Sequence, residues 1–349
     1  MPGTSSASPD CGSRSGVPES RVLLQGLGLR RYYPWGRTWR GPRVWVRAVE
    51  DVTIDVGEGE TVALVGESGS GKSTTGRLLL GLEPPTAGEV LFRGRPLRAL
   101  SGEEFRVYRR AVQPVFQDST ASLNPRKTVA HAVEVGLEAA GVAPRARRSE
   151  AARLLEEVGL QPAGAFLHRF PHQLSGGQRQ RVNIARALAT SPAAIVADEP
   201  VSALDLSVRA QILILMRRLQ RERGLAYLFI SHDLAVVRSI AHGVWVMYLG
   251  RIVEHGPTDD VFRRPAHPYT EALISATPVP DPRTKRERII LPGDIPSPLR
   301  PPGGCPFHPR CPAAADICKT TFPPVVDVGG GHTAVCHFAA ERAQAFARS

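Results

Sequence analysis

The residues whose types and spacing carry the clearest chemistry form one glycine-rich octapeptide. Residues 66–73 read G-E-S-G-S-G-K-S and fit the pattern G-x-x-x-x-G-K-[ST]. Glycines at these positions let backbone amides turn inward around phosphate oxygens, while the lysine reaches the β- and γ-phosphates and the serine hydroxyl coordinates Mg²⁺. The pattern therefore predicts a nucleoside triphosphate site that includes Gly66, Glu67, Ser68, Gly69, Ser70, Gly71, Lys72, Ser73 and Thr74.

Two adjacent carboxylates lie far along the chain, where they end the apolar run 195–197. They are Asp198 and Glu199. In phosphoryl transfer one such carboxylate can hold the metal through water, while its neighbour polarises the attacking water. We assign Asp198 to Mg²⁺ and Glu199 to the general base.

A further segment suited to phosphate follows Leu174. Ser175, Gly176 and Gly177 directly precede a helical stretch, so their hydroxyl and amides form the positive end of a helix. Because such an end binds anions, we expect this segment, together with Gln178, to meet a γ-phosphate.

These groups need elements that bring them together. Short, continuous apolar runs predict buried strands at Thr61–Val65, 194–197 and 227–230, and the first two end directly at the phosphate loop and near the paired carboxylates. Helical periodicity marks 207–224 and most of the zone from about 113 to 190. This alternation predicts an α/β fold, a sheet with helices packed on its faces.

The motifs together resemble those of the ATP-binding subunit of ATP-binding-cassette (ABC) transporters, over residues 21–261. The family's other motifs occur in order: Gln117 in V-F-Q-D, Asp205 in S-A-L-D and His232 in S-H-D. The resemblance implies a P-loop ABC ATPase cassette, with a RecA-like core sheet, an antiparallel β-subdomain and a helical signature subdomain. It also implies that Gln117 binds Mg²⁺ and water on a mobile loop, that Asp205 lies at the nucleotide, and that His232 orients the attacking water.

The resemblance further implies an assembly. Two cassettes face head to tail with two ATP molecules between them, so that Ser175 of one cassette meets the phosphate bound by Lys72 of the other. The second cassette is either a copy of this chain or a paralogue. Two transmembrane permease subunits complete the transporter, and the chain is expected at the cytoplasmic face of the membrane as a peripheral subunit.

The adenine is expected to stack on an aromatic ring upstream of the phosphate loop. Tyr33 is the first choice, and Tyr32, Trp35 and Trp45 stay open because residues 36–43 look like an inserted basic loop.

Three segments resemble the dipeptide and oligopeptide branch of ABC importers. They are residues 116–126, 267–273 (H-P-Y-T-E-A-L) and the tail from 291 to 312, which contains C-P-F-H-P-R-C-P. The resemblance implies uptake of short peptides delivered by an external solute-binding protein. Nickel, glutathione and an oligosaccharide, which related systems carry, remain alternative cargoes.

Four of the five cysteines crowd into the tail, at Cys305, Cys311, Cys318 and Cys336. The prolines and glycines between them favour turns, so the thiols can converge on one centre. Thiolates select zinc or an iron–sulfur cluster. The C-x₂₋₄-C pairs typical of zinc are absent, and some members of the peptide branch carry a [4Fe-4S] cluster on a similar pattern, so we expect the cluster, with zinc and free thiols as alternatives.

Length and composition bound the remaining possibilities. The chain has 349 residues, a net charge of +11 and no apolar run of the 18 or more residues that a membrane span needs. The charge suits a polyanionic partner, so a DNA-repair or chromosome-maintenance ABC ATPase is the alternative from another class. The short separation between Gln117 and Ser175 argues against it, and we expect no nucleic-acid partner.

The organisation that we expect has three parts. Residues 1–20 form a disordered leader, residues 21–265 the cassette, and residues 266–349 an extension rich in proline and cysteine that carries the four-cysteine site. We expect the extension to be irregular, with little regular core.

Overall fold

The computed structural model describes residues 22–36, 44–117, 122–277 and 288–348. The expected leader, most of the basic loop at 36–43, residues 118–121 of the importer-like segment and the proline-rich residues 278–282 lie outside the described residues.

The strands and helices of the described part alternate along the chain. In chain order the strands are β1 (Val22–Trp35), β2 (Val44–Gly57), β3 (Thr61–Val65), β4 (Ala87–Phe92), β5 (Arg95–Pro96), β6 (Val112–Val115), β7 (Ala194–Asp198), β8 (Ala226–Ser231), β9 (Gly243–Tyr248), β10 (Arg251–Pro257), β11 (Val325–Gly329) and β12 (His332–Val335). The helices are α1 (Lys72–Leu79), α2 (Gly102–Ala111), α3 (Val129–Ala139), α4 (Pro144–Glu157), α5 (Gly164–Leu167), α6 (Gly176–Leu188), α7 (Leu206–Arg223), α8 (Leu234–Ile240), α9 (Thr258–Arg263), α10 (Pro268–Ser275), α11 (Asp316–Thr320) and α12 (Ala339–Arg348). Among the described residues, no helix combines the length and the apolar character that a membrane span requires.

The described strands form two sheets. The larger has the order β11-β12-β10-β9-β3-β8-β7-β6, in which β9, β3, β8, β7 and β6 run parallel and β10 is antiparallel to β9. All five residues of β3 are buried, because a parallel strand in the middle of a sheet is covered on both faces. The predicted sheet with helices on its faces is therefore confirmed, and its parallel strands end on the same side of the molecule.

The smaller sheet has the order β2-β1-β4-β5 and is antiparallel. Its inner face and the larger sheet enclose one apolar cluster with α1, which includes Ile54, Leu64 and Leu79. Because the phosphate loop leaves β3 and enters α1, which both belong to this cluster, the cluster holds the two ends of the loop.

The helical zone forms its own layer. Helices α3, α4 and α6 pack around buried side chains that include Val133, Leu154 and Ile184. Helix α7 ends at Gly224, which adopts a left-handed φ of 65°. The predicted helices at 207–224 and within about 113–190 are therefore present, with the short strand β6 at the start of that zone.

The tail is more regular than the sequence indicates. Strands β11 and β12 pair antiparallel, and β12 pairs with β10 at Glu254↔Ala334 and His255↔Thr333. The expectation of irregular structure is wrong here, because these strands extend the larger sheet. Gly256 allows the close approach, since a Cβ there would lie 2.9 Å from the Cα of His332.

A buried hydrogen-bonded group fixes this junction. The Glu254 carboxylate accepts from the amides of Ala266 and His267 at 2.7 and 2.9 Å and pairs with Nε2 of His332 at 2.7 Å. A buried carboxylate is stable only when its oxygens are hydrogen-bonded. Glu254 thus binds β12 and the start of α10 to the cassette sheet.

Candidate nucleotide site

The phosphate loop has a backbone that only glycine fits at two positions. Gly66 and Gly71 have φ values of 149° and 107°. A Cβ at these positions would lie 2.1 Å from the carbonyl oxygen of Met247 and 2.2 Å from that of Ala48. The loop is therefore packed directly against the backbone of β9 and β2.

Lys72 folds over the loop. Its Nζ donates to the carbonyl oxygens of Gly66 and Glu67 at 2.8 Å each and to Oγ of Ser70 at 3.4 Å. Burial lowers the pKa of Lys72, while the charges of Glu199, Asp198 and Glu67 act in the opposite direction. The ammonium group is thus held at the loop, where a phosphate oxygen can replace a carbonyl as its partner.

Ser73 and Asp198 meet across the start of α1 and the end of β7. The Ser73 hydroxyl donates to Oδ1 of Asp198 at 3.1 Å. Burial raises the pKa of Asp198, and the hydrogen bond from Ser73 opposes this shift. A hydroxyl beside a carboxylate fits Mg²⁺, which takes oxygen ligands and keeps waters and substrate phosphates in its other positions.

Glu199 is contacted by two predicted catalytic side chains. Nε2 of Gln117 donates to Oε2 at 3.1 Å, and Nδ1 of His232 lies 2.9 Å from Oε1. The three residues follow β6, β7 and β8, which are adjacent parallel strands. The sheet therefore brings together groups that are far apart in the sequence.

The Ser175 segment forms the N-terminus of α6. The Ser175 hydroxyl accepts from the amide of Gln178 at 3.3 Å, and the Gln178 side chain accepts from the amide of Ser175 at 3.0 Å. This reciprocal capping box orders the turn. Gly177 lies close to α7, since a Cβ there would be 2.4 Å from Cγ1 of Val208.

Asp205 directly precedes α7, and its carbonyl accepts from the amide of Arg209 at 2.8 Å. The Arg209 guanidinium in turn binds the Asp233 carboxylate at 2.8 Å. Asp233 follows His232, so this ion pair joins the Asp205 turn to the histidine. Sequence reasoning missed it, because nothing in the spacing relates these two segments.

The candidate aromatic residues differ in their surroundings. The Tyr33 hydroxyl donates to Glu83 at 2.5 Å, and the Arg31 guanidinium lies 4.7 Å from the centre of its ring. The Tyr32 hydroxyl donates to both oxygens of Glu50 at 2.8 Å. Trp35 and Trp45 are 61% and 42% exposed.

The extension reaches the phosphate loop itself, at Glu67. Arg310 donates to both carboxylate oxygens of Glu67 at 2.7 and 3.0 Å, and the Tyr269 hydroxyl accepts from the Glu67 amide at 2.8 Å. Both residues lie within the segments that resemble the peptide branch. Their sequence positions, more than 200 residues away, gave no signal that they would meet the loop.

The tail cysteines are free thiols in the structure. Burial raises the pKa of Cys305 to about 11, the hydrogen bond from the Phe307 backbone acts in the opposite direction, and the neighbouring thiols add smaller upward contributions. In the described residues, no three His, Cys, Asp or Glu side chains are placed to hold a metal ion. The predicted iron–sulfur cluster and its zinc alternative therefore find no support in this arrangement of side chains.

Two protein-family models match the chain. The ABC transporter family matches residues 49–202, and the family described as the oligopeptide/dipeptide transporter C-terminal region matches residues 253–318. The second match begins in β10 and continues through three of the four tail cysteines.

Relatives resemble the chain over most of its length. A probable peptide ABC transporter ATP-binding protein of Sinorhizobium fredii is 52% identical over 93% of this chain and 92% of its own. The dipeptide transport ATP-binding protein DppF of Haemophilus influenzae is 47% identical over 92% of this chain and 98% of its own. These names favour transport over DNA repair.

Solved structures resemble the fold. A dimeric ATP-binding cassette in a post-hydrolysis state, bound to ADP and phosphate, has a TM-score of 0.58 and 30% identity over 68% of this chain and 99% of its own. CbiO1 of Clostridium perfringens, part of an ABC transporter complex, has a TM-score of 0.59 and 26% identity over 69% of this chain and 91% of its own. The chain therefore belongs to the ATP-binding proteins of ABC transporters, in their oligopeptide and dipeptide branch.

Proposed function

We propose that the chain is the ATP-hydrolysing subunit of an importer of short peptides. The observation that carries the hydrolytic part is the grouping of Glu199 with Gln117 and His232, next to the Ser73–Asp198 pair. A carboxylate between an amide and an imidazole at the mouth of a phosphate loop is suited to activating water. The names of the relatives support the peptide part.

Each residue has a distinct task in this mechanism. The loop amides of residues 66–74, apart from that of Glu67, which donates to Tyr269, surround the phosphates. Lys72 binds the β- and γ-oxygens once it leaves the loop carbonyls. Ser73, Asp198 and Gln117 would hold Mg²⁺, which when bound supplies positive charge that stabilises the transferred phosphoryl group. Glu199 accepts a proton from the attacking water, and His232 orients that water and Glu199.

The other predicted contacts act between cassettes. The Ser175, Gly176, Gly177 and Gln178 turn of one cassette would bind the γ-phosphate in the other, and Asp205 would lie in the same seam. The dimeric state of a resembling cassette supports this arrangement. The partner is a second copy or a paralogue, and the dimerisation experiment described below distinguishes them.

The adenine contact is proposed at Tyr33. One face of its ring is covered by Arg31, and its hydroxyl is fixed by Glu83. A ring fixed in this way presents its other face to a base with little loss of side-chain entropy.

The assembly that follows has two permease subunits in the membrane, this chain at their cytoplasmic face as a peripheral subunit, and an external solute-binding protein. Nucleic acid has no part in it. Replacing the gene by the Glu199→Gln variant in the native cell should abolish uptake of a labelled di- or tripeptide. Retained peptide uptake, with loss of nickel, glutathione or oligosaccharide uptake instead, would reassign the cargo.

A [4Fe-4S] cluster on Cys305, Cys311, Cys318 and Cys336 is a separate proposal. It rests on the four cysteines of a tail that resembles the peptide branch, three of which, Cys305, Cys318 and Cys336, are buried. Each thiolate of such a cluster binds a different iron, so the sulfurs lie further apart than around one ion. When bound, the cluster would crosslink the turns of the tail.

Protein purified without oxygen should then be brown and absorb visible light, and Cys318→Ser should lose most of that absorbance. A colourless preparation, either with stoichiometric zinc or without metal, would overturn the proposal.

A further inference from the structure

Glu67 places a negative charge inside the loop that must accept a triphosphate. It is the second residue of the loop, between Gly66 and Ser68. Like charges at close range repel, and the repulsion grows where water is partly excluded. An unpaired carboxylate at this position would therefore oppose ATP binding.

Arg310 neutralises this charge. Its two terminal nitrogens bind the two Glu67 oxygens at 2.7 and 3.0 Å, which is the bidentate geometry that a guanidinium offers a carboxylate. Arg310 is only 6% exposed, so it is committed to this partner. Removing Arg310 would leave the charge of the partly buried Glu67 side chain uncompensated.

The remaining polar groups of Glu67 are also held. Its amide donates to the Tyr269 hydroxyl at 2.8 Å, and its carbonyl accepts from Lys72 at 2.8 Å. The amide therefore points to the extension, and of these groups only the carbonyl contact changes when Lys72 turns to a phosphate. Glu67 thus shapes the loop, with its side chain and amide bound to the tail.

The tail holds both partners rigidly. Phe307 is buried, and its ring lies 5.2 Å from that of Tyr248 and 5.4 Å from that of Tyr269. Arg310 follows three residues later in a short 3₁₀ turn between Cys305 and Cys311. The position of the guanidinium is therefore set by the same turn that carries two of the cysteines.

We propose that Arg310 and Tyr269 are positioning residues of the phosphate loop, so that the C-terminal extension completes the nucleotide site of its own cassette. Arg310 cancels the Glu67 charge and Tyr269 fixes the Glu67 amide. This inference rests on the proposed binding of ATP at residues 66–74.

The test is the affinity of the full chain for a non-hydrolysable Mg·ATP analogue, measured by titration calorimetry. Arg310→Met should weaken binding about tenfold, which is about 1.4 kcal/mol. The loss should shrink at high salt, because screening reduces the repulsion from the unpaired Glu67. The double variant Glu67→Gln/Arg310→Met should recover most of the affinity, since it removes the repelling charge.

A purely structural role of the ion pair gives the opposite result for the double variant. That variant also lacks the pair, so it would bind as weakly as Arg310→Met, and this outcome would overturn the proposal. Unchanged affinity in Arg310→Met would overturn it as well. If Arg310→Met does not fold, Arg310→Lys decides: it keeps the charge, loses the bidentate geometry, and should weaken binding less than tenfold but measurably.

Two controls distinguish a failure of this inference from a failure of the ATP site on which it rests. Arg342→Met removes another Arg–Glu pair of the extension, to Glu271, without touching the loop, and should bind the analogue like the unmodified chain. Lys72→Ala should lose binding. If Lys72→Ala binds normally, the nucleotide site itself is misassigned, whatever Arg310→Met does.

Discussion

Glu199 has an unusual backbone for a non-glycine residue, with a left-handed φ of 46°. Such a conformation costs about 1–3 kcal/mol and persists only where the surroundings impose it. Its amide donates to the carbonyl of Ile230 at 2.9 Å, and its carbonyl accepts from the Ser202 hydroxyl at 3.1 Å. The backbone between β7 and the Asp205 turn is therefore held so that the carboxylate meets Gln117 and His232.

Glu199→Gln tests the role of this carboxylate. We expect turnover to fall by about 10²- to 10⁴-fold, because the amide cannot accept the proton of water. The affinity for ATP should not fall, because the loop and Lys72 are unchanged and the variant removes a negative charge beside the phosphates. Steady-state hydrolysis and nucleotide titration measure the two effects.

A matched control is Glu222→Gln, which changes an exposed carboxylate on α7. It should leave hydrolysis intact. Normal turnover in Glu199→Gln would mean that another group activates the water.

At the scale of elements, the start of α10 depends on a buried histidine. His267 is 1% exposed, and its Nδ1 accepts from the amide of Tyr269 at 3.1 Å, which caps the helix. Burial, with a contribution from the charge of Arg342, lowers the pKa of His267 to about 3. The neutral ring is thus part of the fold.

The sign of the resulting pH dependence follows from this shift. Below its ordinary pKa of 6.5 the unfolded histidine binds a proton that the folded one does not, so stability is lost as the pH falls from about 6.5 toward 3. The free energy of unfolding should fall by up to about 1.4 kcal/mol for each pH unit in this range. His267→Asn keeps a cap acceptor but has no imidazole to protonate. The free energy of unfolding, measured with denaturant at pH 7.5 and 5.5, should therefore differ less between the two pH values in the variant than in the unmodified chain. An equal difference in both proteins would contradict the assignment.

The elements that the sequence predicts depend on neighbouring residues, whereas those that it does not predict depend on contacts between distant segments. Strand β3, α6 and α7 follow from local apolar runs, capping residues and glycine stops, and the site residues follow from motifs. Strands β11 and β12 are short and half-exposed, and only pairing with β10 makes them strands. The contacts of Glu67 to Arg310 and Tyr269 likewise depend on tertiary packing. Local patterns carry no information on such pairings.

At the scale of the whole molecule, the groups assigned to the nucleotide belong to elements that pack in different apolar clusters. The phosphate loop follows β3, whereas the Ser175 turn begins α6 in the helical layer, and the turn's own side-chain hydrogen bonds stay within it. Head-to-tail pairing would bring the phosphate loop of each cassette to the Ser175 turn of the other, around two nucleotides.

We expect the Glu199→Gln chain to dimerise when Mg·ATP is added. Bound nucleotide then joins the phosphate loop of one cassette to the Ser175 turn of the other and is not hydrolysed. Size exclusion with light scattering should be run on the chain alone and on its mixture with a second cassette from the same cell. Dimerisation alone indicates a homodimer, and dimerisation only in the mixture indicates a paralogous partner.

Ser175→Arg should prevent the dimer by filling the seam. Ser149→Arg, the same change on the exposed surface of α4, is the matched control and should dimerise normally. A monomer under all conditions would contradict the proposed pairing.

The strand pair that the tail adds beside β10 has a consequence for the free cassette. Without β12, the outward amides and carbonyls of β10 would form an open border of the large sheet, and open borders recruit strands from neighbouring molecules. With the tail in place, the outermost strand is the short β11, with Asp327 at its centre. The tail therefore covers this edge of the sheet, and we expect that cover to limit strand pairing between neighbouring molecules.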